Sequence, residues 1–149
     1  MKRKIFIIAL ITFVIDQIIK SLSLVYLINI PIIPNILSLT YAKNYGIAFS
    51  MLKEKRIIII AISILLISFL IYVLKKDYIS KNKDTWLVNI AFGILFGGIL
   101  GNLFDRIVRG FVIDYINVSF FSIFNLADIA ITFGVVLLII GNIKESKNN

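Results

Sequence analysis

The chain has 149 residues, of which 60% are hydrophobic, with a mean hydropathy of +1.00 and a formal net charge of +8. A soluble domain would be nearer about 45–50% apolar. There is no cysteine and no histidine, which excludes disulfides, thiolate metal sites, the commonest zinc ligand and the Ser-His and Cys-His catalytic pairs. The basic residues lie in short clusters flanking apolar runs, as membrane proteins carry them, and not in a nucleic-acid-binding stripe.

Four segments are long enough to cross the ~30 Å hydrocarbon layer, which takes roughly 20 helical residues. The first runs from Ile5 to about Leu24 behind Lys2, Arg3 and Lys4. Asp16 and Lys20 interrupt it at i,i+4 spacing, and no A-x-A site follows, so it reads as a retained helix and not a cleaved leader. Residues 25–56 form a long connection with Pro31 and Pro34, then LSLTYAKNYGIAFS, which alternates enough for short strands and a turn at Asn44-Tyr45-Gly46. The second segment spans Ile57 to Leu74 and the third about Trp86 to Phe104. A second connection, 105–123, leads to the fourth segment at about Phe124 to Gly141.

Lys2, Arg3 and Lys4, then Lys75, Lys76, Lys81 and Lys83, then Lys144 and Lys147 mark one side densely. Lys43, Lys53, Lys55, Arg56, Arg106 and Arg109 are spread over the two longer connections. The positive-inside rule therefore puts both termini in the cytoplasm. The expected fold is an all-α integral membrane protein of four transmembrane helices, with a small extracytoplasmic β-rich region between helices 1 and 2. Residues 1–149 form a single membrane domain.

The unusual polar residues gather on the external half. An unpaired charge at a helix centre costs at least about 2.5–3.5 kcal/mol in a bilayer, so each needs a reason. In segment one, Asp16 and Lys20 either neutralise one another, with Lys20 snorkelling outward, or shape a site. In segment three, Gly93, Gly97 and Gly101 form a stripe for close helix approach. Past it, Asn102, Asp105, Arg106 and Arg109 suggest a pocket floor, or interfacial anchoring by the two arginines. In segment four, Asn125, Asp128 and Thr132 share a face, and Asp128 suits a helix N-terminus. That does not explain Asp114, lodged in the apolar run FVIDYI.

Two carboxylates brought together can hydrolyse an amide without a metal, a cofactor or a nucleophilic side chain. Held close, they share one proton. The ionised member takes a proton from water as it attacks the carbonyl, and the protonated member donates to the carbonyl oxygen.

In five places, and in order, the chain resembles the lipoprotein signal peptidases (signal peptidase II). Asp16 and Lys20 match the family's first-segment pair. Asn44-Tyr45-Gly46-Ile47-Ala48-Phe49 matches N-x-G-x-A-F, and GGILGNLFDR from Gly97 to Arg106 matches G-G-x-x-G-N-x-x-D-R. Val112-Ile113-Asp114-Tyr115 matches the segment of the first catalytic aspartate, and Phe124-Asn125-Leu126-Ala127-Asp128 matches F-N-x-A-D. The resemblance implies a catalytic dyad of Asp114 and Asp128, with Asn44, Asn102, Arg106 and Asn125 lining the substrate site. Asp16, Lys20 and Gly46 would support it, with Asp105 beside them. It further implies a diacylglyceryl-modified prolipoprotein substrate cut on the N-terminal side of the lipidated cysteine, at the extracytoplasmic face of the bacterial cell membrane. Globomycin would be the inhibitor, residues 30–53 a small sheet on which substrate rests, and the working form a monomer. Only thirteen residues separate the two aspartates, without the Pro and Trp common before F-N-x-A-D, so that connection is short.

Two rival readings use the same residues differently. Ser38, Ser50 and Lys43 share the external connection and could form a Ser-Lys pair. A small transporter or channel could use Asp16, Asp105, Asp114 and Asp128 as a cation path. Such a path should continue through the inner helix halves, which hold only Asn89 and a few hydroxyls.

Overall fold

The computed structural model describes residues 2–26, 29–46, 55–76 and 86–146. In chain order these form α1 (Lys2–Tyr26), β1 (Asn29–Ile33), β2 (Leu37–Asn44), α2 (Arg56–Lys75), α3 (Trp86–Val108), β3 (Val112–Val118), β4 (Ile123–Phe124) and α4 (Leu126–Ser146). Among the described residues three helices are long and apolar enough to cross a membrane, Arg3–Tyr26, Arg56–Lys75 and Trp86–Val108. Leu126–Gly141 is a shorter apolar helix.

The sequence of α2, rich in β-branched isoleucine, has little local preference for helix. In lipid a helix satisfies every backbone group within one segment, and that requirement outweighs side-chain propensity. Its hydroxyls are settled the same way. Ser63 and Ser68 donate to the carbonyls of Ile59 and Ile64, four residues back, at 2.9 Å each.

The polarity of the bundle is the reverse of a soluble core. Large apolar side chains such as Phe6, Leu10, Ile57, Leu65 and Phe133 face outward, while Asp16, Lys20, Asp105 and Asn125 are buried. The centre is α3, which packs along α1 on one side and α4 on the other. Its glycines permit both approaches. A Cβ on Gly97 would stand 2.6 Å from the Thr12 Cβ and 2.7 Å from the Ala9 carbonyl of α1. One on Gly98 would stand 2.6 Å from the Ala127 carbonyl of α4, and one on Gly101 would strike the Asp16 carboxylate. The glycine stripe expected from spacing therefore seats α1 at Gly93, Gly97 and Gly101. An apolar cluster of Ile5, Ala9, Leu70, Val88, Phe92, Leu95, Phe96 and Ile99 joins α1, α2 and α3.

The β region is larger than the sequence suggested. It is a four-stranded antiparallel sheet in the order β1-β2-β3-β4, so the connection between α3 and α4 supplies half its strands. Residues 105–108 continue α3, and α4 begins at Leu126. The strand character of β3 was hidden because Val112, Ile113, Asp114 and Tyr115 are all buried. A strand covered on both faces loses the in–out alternation that marks a half-exposed one. Gly110 makes the corner between α3 and β3 with φ +86°, a left-handed backbone that suits glycine.

Candidate active site

Four elements converge where the sheet meets the helices. β3 carries Asp114, paired in register with Ala42 of β2, and the first turn of α4 carries Asp128. α3 presents Asn102, Asp105 and Arg106, and α1 presents Asp16 and Lys20.

The motif Asn-x-x-Asp at 125–128 is a reciprocal helix cap. Asp128 N–H donates to Asn125 Oδ1 at 3.0 Å, and Asn125 N–H donates back to Asp128 Oδ2 at 3.2 Å. The Asn125 side-chain amide is thereby aimed away from the helix, and its Nδ2 donates to Asp114 Oδ1 at 2.7 Å. One asparagine thus touches both carboxylates. The remaining first-turn donors of α4 are also met. Leu126 N–H donates to the Tyr115 hydroxyl at 3.0 Å, and Ala127 N–H to Asp16 Oδ1 at 3.0 Å.

Each aspartate has a second amide partner. Asn44 Nδ2 donates to Asp114 Oδ2 at 2.9 Å, and Asn102 Nδ2 donates to Asp128 Oδ1 at 2.8 Å. Asn44 is itself locked, because its Oδ1 accepts Gly46 N–H at 2.9 Å in an Asx turn. Arg106 Nη2 then donates to the Gly46 carbonyl at 2.8 Å, and Nη1 to the Asn102 carbonyl at 3.2 Å. The other half of the 44–49 motif, Ile47 to Phe49, lies outside the described residues.

Behind the pair is a buried ionic knot. Lys20 Nζ lies 2.9 Å from Asp16 Oδ2, from Asp105 Oδ2 and from Asn102 Oδ1. An ammonium has three donors, and all three are used. Lys20 is therefore fully buried at 0% exposure and does not snorkel. Arg109 pairs with the other oxygen of Asp105 and donates to Gln17 Oε1 at 2.7 Å. Arg106 is buried beneath Gly46, so interfacial anchoring does not describe it. Ile113 N–H donates to Asp105 Oδ2 at 3.3 Å, tying the knot to the strand that bears Asp114.

Burial pushes the Asp114 carboxyl up to about 6; Asn44 pulls it back, the charge of Asp128 adds to the rise, and Asn125 opposes it. Burial likewise pushes the Tyr115 hydroxyl up to about 12, leaving it a neutral acceptor for the α4 amide. Four carboxylates (Asp16, Asp105, Asp114, Asp128) face three cations (Lys20, Arg106, Arg109), so one added proton makes the cluster neutral.

The structure brings all ten candidate residues into one hydrogen-bonded network. Gln17 and Tyr115 belong to it as well, and neither was among the candidate site residues, although Tyr115 stands in the matched segment beside Asp114. No motif marks Gln17, and the contact of Tyr115 with the α4 amide depends on a residue eleven positions on. A Ser-Lys pair is not assembled from Ser38 and Lys43. Asn117 donates to Ser38 Oγ at 3.1 Å, whereas Lys43 lies over the Phe111 ring at 4.9 Å, five residues away on β2. Ser50 lies outside the described residues.

Apolar helices surrounding buried, paired charges define a multi-pass membrane protein, and its carboxylate pair is held by amides from three separate elements. The sequence pattern described as Signal peptidase (SPase) II matches residues 8–144. The chain is 44% identical over 136 residues to the lipoprotein signal peptidase of Caldicellulosiruptor bescii, covering 90% of this chain and 87% of that one. It is 37% identical over 139 residues to the lipoprotein signal peptidase of Halothermothrix orenii, covering 91% and 92%. Two solved structures, described as bacterial membrane enzymes determined by the in meso method, superpose with TM-scores of 0.83 and 0.76 at 30% and 31% identity. They cover 97% and 91% of this chain and 90% of each of theirs. The chain belongs to the signal peptidase II family and is a peptidase.

Proposed function

We propose that this protein is an aspartyl endopeptidase that removes signal peptides from diacylglyceryl-modified prolipoproteins, cutting on the N-terminal side of the lipidated cysteine. Asp114 and Asp128 are its dyad. The observation that carries this reading is Asn125, whose backbone and side chain fix both carboxylates at once.

The chemistry follows from charge. With one proton on the pair, the four carboxylates and three cations of the cluster balance, so one aspartate acts as base and the other as acid. The base draws a proton from water as the water oxygen attacks the scissile carbonyl. The acid donates to the carbonyl oxygen, and the tetrahedral centre collapses with the proton passed to the leaving amine. Asn44, Asn102 and Asn125 already spend amide hydrogens on the carboxylates, so we assign them to holding the dyad, with substrate contact at their remaining faces. Arg106 acts through Gly46, and Asp16, Lys20 and Asp105 form the foundation.

The reading includes four spans, both termini in the cytoplasm and the dyad at the external face, where a lipid-anchored substrate arrives sideways from the bilayer. The reading also includes inhibition by globomycin, as the family resemblance implies, and action as a monomer. A cation path is disfavoured, because the apolar cluster around Phe92, Leu95 and Phe96 would have to conduct.

The test uses purified protein in detergent with a diacylglyceryl-modified prolipoprotein, read by the mass shift of cleavage. Wild type should cut, and folded Asp114→Asn and Asp128→Asn should each lose activity by several orders of magnitude. Cleavage by either folded variant at a wild-type rate would remove the dyad.

A further inference from the structure

The far end of the sheet is apolar, exposed and uncharged. From Ser21 to Ala42, and again from Tyr115 to Ala127, there is no Asp, Glu, Lys or Arg in a chain of net charge +8. Two turns meet there. Ile33-Pro34-Asn35-Ile36 closes with Ile36 N–H donating to the Ile33 carbonyl at 3.0 Å, and Asn35 takes φ +62°, as fits a type II turn with proline second. The β3–β4 turn closes with Phe121 N–H donating to the Val118 carbonyl at 2.9 Å. Ser119 N–H donates to the Ile36 carbonyl at 3.0 Å and joins the two turns into one tip. On it Ile33, Ile36, Phe120 and Phe121 are 46%, 48%, 80% and 61% exposed.

A strand edge facing water is normally guarded by charge, above all by lysine. The outermost strand here, β1, reads NIPII and is exposed along its length. The exposed residues in the last turns of α1, Leu22, Val25 and Tyr26, are apolar, and so are Ile30 and Ile32 on the strand that follows. No charged residue stands in the sequence between the apolar end of α1 and the sheet tip.

We propose that Ile33, Ile36, Phe120 and Phe121 form an interfacial anchor that dips into the bilayer leaflet on the sheet's side of the membrane. Lipid is the occupant. Among the described residues the outer edge of β1 has no strand partner, and its N–H and C=O groups forbid deep entry, because hydrocarbon offers them none. The side chains therefore enter the headgroup–acyl boundary, about 5–10 Å in, as interfacial segments do. Asp114 lies four residues from Val118 on β3, roughly 13 Å along the strand at 3.3 Å per residue. The anchor thereby sets the height of Asp114 against the bilayer surface. This last consequence rests on the peptidase reading above; the anchor itself does not.

The absence of native cysteine permits a clean test. Ile36→Cys and Phe121→Cys are labelled with an environment-sensitive fluorophore in the full chain, reconstituted into phosphatidylcholine vesicles. Lys43→Cys, toward the other end of β2, is the control. The expected result is blue-shifted emission at 36 and 121, quenched more by nitroxides near the glycerol level than by mid-chain nitroxides, with iodide quenching strongest at 43. Iodide quenching at 36 equal to that at 43 overturns the proposal. So does blue-shifted emission insensitive to lipid nitroxides and accompanied by crosslinked dimers, which would make the occupant a second copy of the chain. In an activity arm, Phe120→Ser/Phe121→Ser should raise KM several-fold for a vesicle-bound substrate and leave the rate on a detergent-dispersed one unchanged. Equal rates in both assays count against the height role. The fluorescence arm needs no catalysis, so its failure is distinct from failure of the peptidase reading.

Discussion

In the proposed mechanism Asp114 is the residue at which stability and chemistry oppose one another. Its folded carboxyl holds its proton up to about 6, against 3.8 for an ordinary aspartate. Between those values the folded state binds more protons than the unfolded chain, so stability is full below 3.8 and falls as pH rises through 6. The loss is of order 3 kcal/mol at one pKa unit per 1.36 kcal/mol. The stability difference between wild type and Asp114→Asn, followed by thermal unfolding in detergent, should shift against wild type across that window. Cleavage by wild type should decline on the alkaline side with an apparent pKa near 6, a value that belongs to the pair. Lys20 is the second decisive residue. Lys20→Met leaves Asp16 and Asp105 buried with their shared cation gone, a loss of about 3–5 kcal/mol. Lys20→Arg should not restore it, since a planar fork cannot replace three acceptors at 2.9 Å around one point charge. Thermal unfolding and folded yield would check both variants.

At the scale of elements, the glycines of α3 set how near α1 can come. Gly97→Ala drives a Cβ against the Ala9 carbonyl and the Thr12 Cβ, and α1 must retreat. A cost of about 1–3 kcal/mol is expected for such overpacking, with activity falling because Asp16 and Lys20 retreat with their helix. Gly141→Ala is the control, because its Cβ would meet nothing nearer than Leu87 Cδ2 at 4.0 Å. That change should be neutral or should stabilise α4 by roughly 0.5–1 kcal/mol, the helical preference for alanine. Unfolding midpoints of the two variants measured side by side decide the matter. The cap of α4 joins elements in the same way, since its first three amides end on Tyr115 of β3, Asp16 of α1 and its own Asn125.

For the whole molecule the expected outcome is orientation. Lys43→Cys should react with an impermeant maleimide on intact cells, and Lys76→Cys only after the membrane is opened. Equal labelling of both on intact cells would invert or refute the proposed topology. The apolar layer around Phe92 and Phe96, beside the polar knot at Lys20, gives the bundle two unlike ends. In the proposed reading the dyad lies at the polar end, where a membrane-tethered peptide would reach it without a deep soluble cleft.

The helices were legible in the chain because a bilayer demands long apolar runs and closes every hydrogen bond within a few residues. Asn102, Arg106, Asp114, Asn125 and Asp128 stood out because polar residues beside such runs are costly and few, whereas Asn44 was marked as a site residue only by the family resemblance. The strand state of 112–118 was not, since its partners at 37–44 lie some seventy positions away and its burial on both faces erases alternation. Nor was the burial of Lys20, which depends on α3 bringing Asn102 and Asp105 to the same ammonium. Sequence determines which groups must be hidden from lipid, because that cost belongs to each residue alone. Tertiary structure decides which groups meet, because a hydrogen bond across 84 or 111 positions exists only once the chain has closed.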